Sequence, residues 1–500
     1  MKRPITLFIL PLLATALLAG CGGGGGGAPA TGGAPVSGNV PDTPVLLASS
    51  SFQDRCQAPR AGIGFPDRQG TLADEQSFLR LWTDETYLWP TEVPPSRPAD
   101  FSTAQDYFAV LKSPLLTATG RPKDRYHFTS PTTTWDDYEH GIELGYGLAW
   151  AANGSWYDLP RTWRLTSVLP GSQAQLAGLQ RGDQLLEVDG RDFVQDGSDS
   201  TVLALYAALY PAADGEQHRF VLARGAQKFT VQLRAARLDV PPVQNTRVLD
   251  TPTGKVGYLT FNSHNTVAES QLIGAFKQLQ AARVDDLVLD LRYNGGGLLA
   301  VASEVAYMVA GPASTDGKIF MHLLGNGKVR DYEPMPFLAR SEGMDGLAPA
   351  QALPRLGLRR VTVLTGPGTC SASEAIINGL RGVDVEVNLI GGQTCGKPYG
   401  FYPADNCGTT YFTIQFHNVN NKGFGDYADG FAPTCWADDD LSRAQGDPQE
   451  GQLAVALRYR ASGLCTAPAS ASAPLRASAA APKLVPVQPP YSAVSVQRQR

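Results

Sequence analysis

Thr365-Gly366-Pro367-Gly368-Thr369-Cys370-Ser371-Ala372-Ser373-Glu374-Ala375-Ile376-Ile377 is the stretch on which the reading of this 500-residue chain turns. Val361 to Leu364, just ahead of it, is apolar and rich in β-branched residues. Glycine and proline then break the chain, and Ala372, Ala375, Ile376, Gly379 and Leu380 recur at the spacing of one helix face. Strand, tight turn and helix in that order make half of an α/β unit. The turn leaves Ser371 at the helix N-terminus, where unpaired N–H groups and the positive end of the dipole favour developing negative charge. Serine is also a favoured N-cap, so position alone assigns it no reaction.

The alternation extends in both directions. Val256 to Phe261, Leu287 to Leu291, Val385 to Ile390 and Thr409 to Phe416 read as strands, and Glu269 to Ala282 and Ala300 to Ala310 as helices. Asp447 as cap, Pro448 and Glu450 announce a last helix running to Ala461. Residues 245–465 are therefore expected to form an α/β core. Two more segments leave strand ends there. In Asp290-Leu291-Arg292-Tyr293-Asn294-Gly295-Gly296-Gly297 the glycines can turn backbone N–H groups toward a reacting carbonyl. Gly391-Gly392-Gln393-Thr394-Cys395-Gly396-Lys397 follows the next strand, so Lys397 can approach Ser371. An amine accepts a proton only when neutral. From a reference near 10.4 that needs a fall of about 3 units, about 4 kcal/mol, which burial can supply. The same segment narrowly misses the phosphate-loop pattern, because Pro398 stands where the Mg²⁺-binding hydroxyl belongs.

Upstream, residues 51–138 form a small helical region. Thr71-x-x-Asp74 and Ser102-x-x-Gln105 read as helix starts, and Trp82, Tyr87 and Trp89 as core aromatics. From 139 to 240 the period shifts toward two. Gly145-Tyr146-Gly147-Leu148 opens this part, and Ala177-Gly178-Leu179-Gln180-Arg181-Gly182-Asp183 and Asp189-Gly190 mark its turns. The segment is similar to a PDZ domain, in which the loop matching residues 145–148 presents N–H groups to a peptide's terminal carboxylate while the peptide adds a strand.

At the start, Lys2 and Arg3 precede an apolar run from Ile5 to Leu18, too short to span a bilayer, and Leu18-Ala19-Gly20-Cys21 follows. Residues 1–21 resemble a bacterial lipoprotein signal, which implies a lipidated Cys21 and attachment to the cell envelope. Gly22 in place of Asp points, by that resemblance, to the outer membrane facing the periplasm. Residues 22–50 are a Gly/Pro-rich tether, and the Ala/Pro-rich stretch 466–500 is expected to be disordered. Net charge is −5 with only 18% charged residues, which supplies no positive field for nucleic acid. The histidines are scattered, with neither HExxH nor CxxC, so neither a metal nor a cofactor is expected. Cys56, Cys370, Cys395, Cys407, Cys435 and Cys465 remain for disulfides in an oxidising compartment. Cys56 and Cys465 sit at the ends of the foldable part and could clasp it, although six cysteines allow many connectivities.

Taken together, DLRxNxGG after a strand, CSASE, GK and an upstream PDZ-like segment resemble the C-terminal processing (tail-specific) serine peptidases. That resemblance implies a multidomain α/β protein with a ClpP/crotonase-like peptidase core. It implies Ser371 as nucleophile, Lys397 as general base, the N–H groups of Gly296 and Ala372 as oxyanion hole, and polypeptide tails of exported proteins as substrates. Many members carry a glutamine four residues after the lysine to orient it. Phe401 stands here, which leaves Gln415 and His417 as candidates for that task. Cys370 and Cys395 each lie within two residues of this dyad and are expected to be joined, leaving Cys407 for Cys435. Two alternatives stand beside this reading: a Ser-His hydrolase using His264 or His417, and a non-catalytic tail-binding lipoprotein on a degenerate peptidase scaffold.

Overall fold

The structure, a computed structural model, describes residues 48–328, 332–465 and 484–487. The expected signal sequence with Cys21, and the expected tether up to residue 47, lie outside the described residues. The first described residues fall inside the expected tether, and there the Ser49 N–H donates to Glu85 Oε1 at 2.8 Å.

Helix α1 (Leu72–Thr86) starts where Thr71 and Asp74 predict it. Each of these residues accepts the other's backbone N–H, and Phe78, Leu79 and Trp82 are buried on one face. Helix α2 (Ala104–Ala109) is capped by Thr103 rather than Ser102, because it is the Thr103 hydroxyl that accepts from Asp106 N–H. The helical region is not freestanding. Its aromatics share one cluster with Tyr411 and Ile414 of the core, and β1 (Phe128–Pro131) pairs antiparallel with residues 409–412. Helix α3 (Thr132–Glu139) then leads into the next part.

The PDZ-like sheet is built from β2 (Leu148–Ala152), β3 (Trp163–Val168), β4 (Gln184–Val188), β5 (Gln217–Arg224) and β6 (Gln227–Arg234), in the order β6-β5-β4-β3-β2. Trp150, Trp163, Leu165, Leu185, Phe193, Leu205, Phe220 and Leu222 form its core. Gly147 has φ +79°, and a Cβ there would lie 2.4 Å from Ser172 Cβ, so only glycine fits. The opposite turn seats on the peptidase core. A Cβ at Gly182 would meet Leu441 O at 2.5 Å, and Arg181 reaches Asp439 and the Tyr293 hydroxyl.

The core sheet runs β7 (Val243–Thr251), β8 (Gly254–Phe261), β9 (Asp286–Asp290), β10 (Arg360–Thr365), β11 (Glu386–Gly391), β12 (Cys435–Trp436). All neighbours are parallel except β7 with β8. Helices α4 (Ala268–Ala282), α5 (Leu299–Ala310) and α6 (Ala372–Gly382) share one apolar cluster with it, and α7 (Gly451–Ser462) joins a second. Glu450, not Asp447, caps α7, since its carboxylate accepts from Leu453 N–H.

All six expected cysteines are bonded, but two of the three expected pairs are wrong. Cys370–Cys395 forms as expected. Cys56 pairs with Cys407 and Cys435 with Cys465. The N-terminal segment packs beside the hairpin at 404–409, with Asp54 N–H on Asn406 Oδ1 at 2.7 Å, which puts Cys56 next to Cys407. Helix α7 returns the chain toward β12, bringing Cys465 to Cys435. Of the stretch 466–500, expected to be disordered, only residues 484–487 are described, and there the expectation is corrected: Val485–Pro486 forms a strand paired with β2.

Candidate active site

Three loops leave the carboxyl ends of β9, β10 and β11 and are laced by hydrogen bonds. Thr369 Oγ1 donates to Leu291 O at 2.8 Å, Cys370 N–H to Asn294 O at 3.1 Å, and Cys395 N–H to Thr369 O at 3.0 Å. Ser371 is the N-cap of α6 with φ +56°, a backbone conformation that costs a non-glycine residue about 1–3 kcal/mol and is held by its surroundings. Ala372, at the first helical position, points its N–H out of the helix end.

Glu374 ties the Ser371 loop to the Lys397 loop. Its buried carboxylate accepts from Ser371 N–H at 3.0 Å, Gly396 N–H at 2.8 Å, Lys397 N–H at 2.8 Å and Thr394 Oγ1 at 2.6 Å. Burial pushes its pKa up, against those four hydrogen bonds. Sequence reasoning passed over Glu374, although an S-x-x-E spacing at a helix start was its signal. The Cys370–Cys395 bridge clamps the same two loops, and with the sulfurs joined to each other neither offers a thiolate to an ion.

Lys397 is 8% exposed. Burial lowers its pKa from 10.5 to about 7, opposed by the negative charges of Asp124 and Glu374. Its Nζ lies 4.1 Å from the centre of the Phe401 ring and 5.0 Å from that of Tyr126. An aromatic pair thus occupies the surroundings where a glutamine was expected to act. Tyr126 comes from the helical region and donates its hydroxyl to Gly396 O at 3.0 Å, while Arg125 donates to Cys395 O at 2.6 Å. Neither expected orienting residue reaches the amine. Gln415 pairs its amide with both backbone groups of Tyr402, and His417 meets Gly425 O at 3.3 Å.

Gly296 sits against Ser371. A Cβ there would lie 2.8 Å from Ser371 Cβ and 2.9 Å from Ala372 N. Its N–H, however, donates to Asn294 Oδ1 at 2.9 Å, so the expected oxyanion donor is engaged inside its own loop. The same Oδ1 meets His264 Nδ1 at 3.0 Å. Burial lowers the His264 pKa to about 3, so the ring is neutral, and neither His264 nor His417 hydrogen-bonds to Ser371 among the described residues. Arg292 of the same motif is structural. It is buried on Asp290, Asp439 and Glu450 at 3.0, 2.7 and 2.8 Å beneath the glycine loop. In the PDZ-like part, Tyr146 is core rather than ligand surface, since its hydroxyl donates to Ala208 O at 2.9 Å. Gly145 and Gly147 shape the loop, and Leu148 opens β2.

This fold and these three loops define a serine-peptidase scaffold preceded by a PDZ-like domain. Residues 255–401 match Peptidase family S41 and residues 164–224 match a PDZ domain. The chain is 29% identical over 340 residues to the chloroplastic C-terminal processing peptidase of Tetradesmus obliquus, covering 64% of this chain and 63% of that one. It is 27% identical over 341 residues to a carboxyl-terminal-processing protease of Synechocystis sp., covering 66% and 70%. The chain thus spans a little under two thirds of the first relative's length. The fold is shared with an S41 protease structure from Bacteroides fragilis at TM-score 0.57 and 23% identity, covering 81% of this chain and 100% of that one. Residues 255–401 are thus similar to peptidase family S41 and residues 164–224 to a PDZ domain, a combination in line with the relatives named carboxyl-terminal-processing proteases.

Proposed function

We propose that the chain is a serine endopeptidase in which Ser371 attacks a peptide carbonyl and Lys397 takes its proton. The observation that carries this reading is a buried lysine, with its pKa lowered to about 7, whose backbone hangs from the same carboxylate as the Ser371 backbone. At neutral pH a large fraction of that amine is free to accept the Ser371 Oγ proton as the Oγ–carbonyl bond forms. The tetrahedral oxyanion takes the Ala372 N–H at the positive end of α6, and the Gly296 N–H once that group leaves Asn294. Lys397 then returns the proton to the leaving amine, and water resolves the acyl-enzyme by the reverse path.

Substrates are unfolded C-terminal tails of exported proteins, selected by the PDZ domain along β2. A lipidated Cys21 holds the enzyme on the envelope membrane, a reading supported by the Leu18-Ala19-Gly20-Cys21 sequence. Ser371→Ala is expected to leave the melting temperature within a degree or two and to abolish cleavage of an unstructured protein such as casein. Retained cleavage would refute the mechanism. Cys21→Ala is expected to move the protein from the membrane to the soluble fraction, and unchanged fractionation would remove the anchor from this account.

A further inference from the structure

β2 is the edge strand that follows the Gly145–Gly147 loop, the strand along which a PDZ ligand adds. That edge is occupied by the chain's own tail. Val485 pairs with Ala152 and Pro486 with Ala151 in antiparallel register, and Val487 N–H donates to Trp150 O at 2.8 Å. Numbers rise along the tail as they fall along β2, so the tail runs toward the Gly145–Gly147 loop, the polarity of a bound ligand. Val487 packs on the PDZ core. Proline is tolerated at 486 because alternate residues of an antiparallel edge turn their N–H groups away from the partner strand.

The other side of the tail rests on the nucleophile loop. A Cβ at Gly368, three residues before Ser371, would lie 3.0 Å from Pro486 Cγ. Residues 484–487 therefore lie between the recognition edge and the catalytic loop, in contact with both.

We propose that residues 484–487 are the resident ligand of the PDZ groove and hold the enzyme in a self-occupied state that incoming tails must displace. This rests on the tail-recognition reading above. A tethered ligand acts at an effective concentration in the millimolar range, so it competes strongly with a free peptide even when its own affinity is weak.

The test uses the full chain carrying Ser371→Ala, so that binding is read without catalysis. The probe is a fluorescein-labelled peptide with the sequence of residues 481–487 and a free carboxylate, followed by anisotropy. Val487→Pro removes the N–H that meets Trp150, and Val487→Asp expels the side chain from the PDZ core. Each is expected to tighten probe binding at least about tenfold relative to Ser371→Ala alone. Equal binding by all three proteins overturns the proposal. No binding by any of them overturns it together with the recognition reading, whereas failure of the wild-type chain to cleave casein sinks only the peptidase mechanism. With Ser371 restored, Val487→Pro is also expected to raise the casein cleavage rate several-fold, and an unchanged or lower rate contradicts self-occupancy.

Discussion

Ser371 and Lys397, 26 positions apart in the chain, donate their backbone N–H groups to one and the same oxygen, Glu374 Oε2, at 3.0 and 2.8 Å. The backbones of the proposed dyad are therefore held through one buried carboxylate. Misplacing reacting groups by as little as an ångström can cost about a hundredfold in rate.

Glu374→Ala is expected to lower kcat by about a hundredfold or more and to destabilise the fold by at least about 3 kcal/mol, since buried donors are left without an acceptor. Glu374→Gln, which keeps an acceptor, should recover part of both. Steady-state kinetics beside thermal melts check this. An alanine variant with normal kcat would show that the two loops hold their places without it.

Lys397 dictates how activity and stability follow pH. In the proposed mechanism activity requires the neutral amine, so it is expected to rise with pH through an acid limb near the folded pKa of about 7. For stability, the unfolded chain binds more protons than the folded one between that value and the ordinary 10.5. The cost of burying the ammonium is thus complete below about 7 and is relieved as pH rises toward 10.5. That cost is on the order of 5 kcal/mol. Lys397→Met is expected to abolish cleavage while raising the melting temperature at pH 6 more than at pH 10. A variant that melts lower at both would contradict the buried, depressed amine.

Phe401 faces the amine with its ring at 4.1 Å, where a cation gains roughly 0.5–2 kcal/mol from the π face. Phe401→Leu keeps the site apolar but removes that attraction, so the acid limb should fall by about half a unit to one unit. Phe401→Gln supplies an oxygen that favours the ammonium and should move the limb up. pH–rate profiles of both variants check the opposite signs. A limb that stays put in both would leave the ring as packing against Phe412 and Phe128.

The connectivity is checked by peptide mapping of non-reduced protein, which should return Cys56–Cys407, Cys370–Cys395 and Cys435–Cys465. Replacing Cys56 and Cys407 together by serine is expected to cost about 2–4 kcal/mol of stability with kcat nearly unchanged. The same exchange at Cys370 and Cys395, which clamp the reacting loops, should lower kcat as well. Equal kcat in the two double variants would argue against the clamp.

Local patterns wrote much of this protein plainly. Apolar runs of strand length, glycine turns and helix-face spacing placed β8 to β11 and α4 to α6 to within a residue or two at most ends, because those signals come from neighbours in sequence. Ser371 and Lys397 were legible for the same reason, each sitting at a strand end inside a recognisable motif. Glu374 has a capping spacing that the sequence reading passed over, and nothing local marks it as the anchor of a loop more than twenty residues away, since hydrogen bonds between loops leave no periodicity. Gln415 and His417 looked available only because nothing in a sequence shows that Tyr402 and Gly425 already claim them.

The sequence by itself thus determined the α/β alternation, the PDZ-like segment and the motifs that carry Ser371 and Lys397, all through short-range chemistry. Only the tertiary structure decided which cysteines meet, that Phe401 and Tyr126 surround the amine, that Asn294 holds the Gly296 N–H, and that a Pro-rich tail returns to pair with β2. Each of these depends on residues far apart in the chain finding the same few ångströms. That proximity is settled by packing of the whole core and not by any one segment's preference.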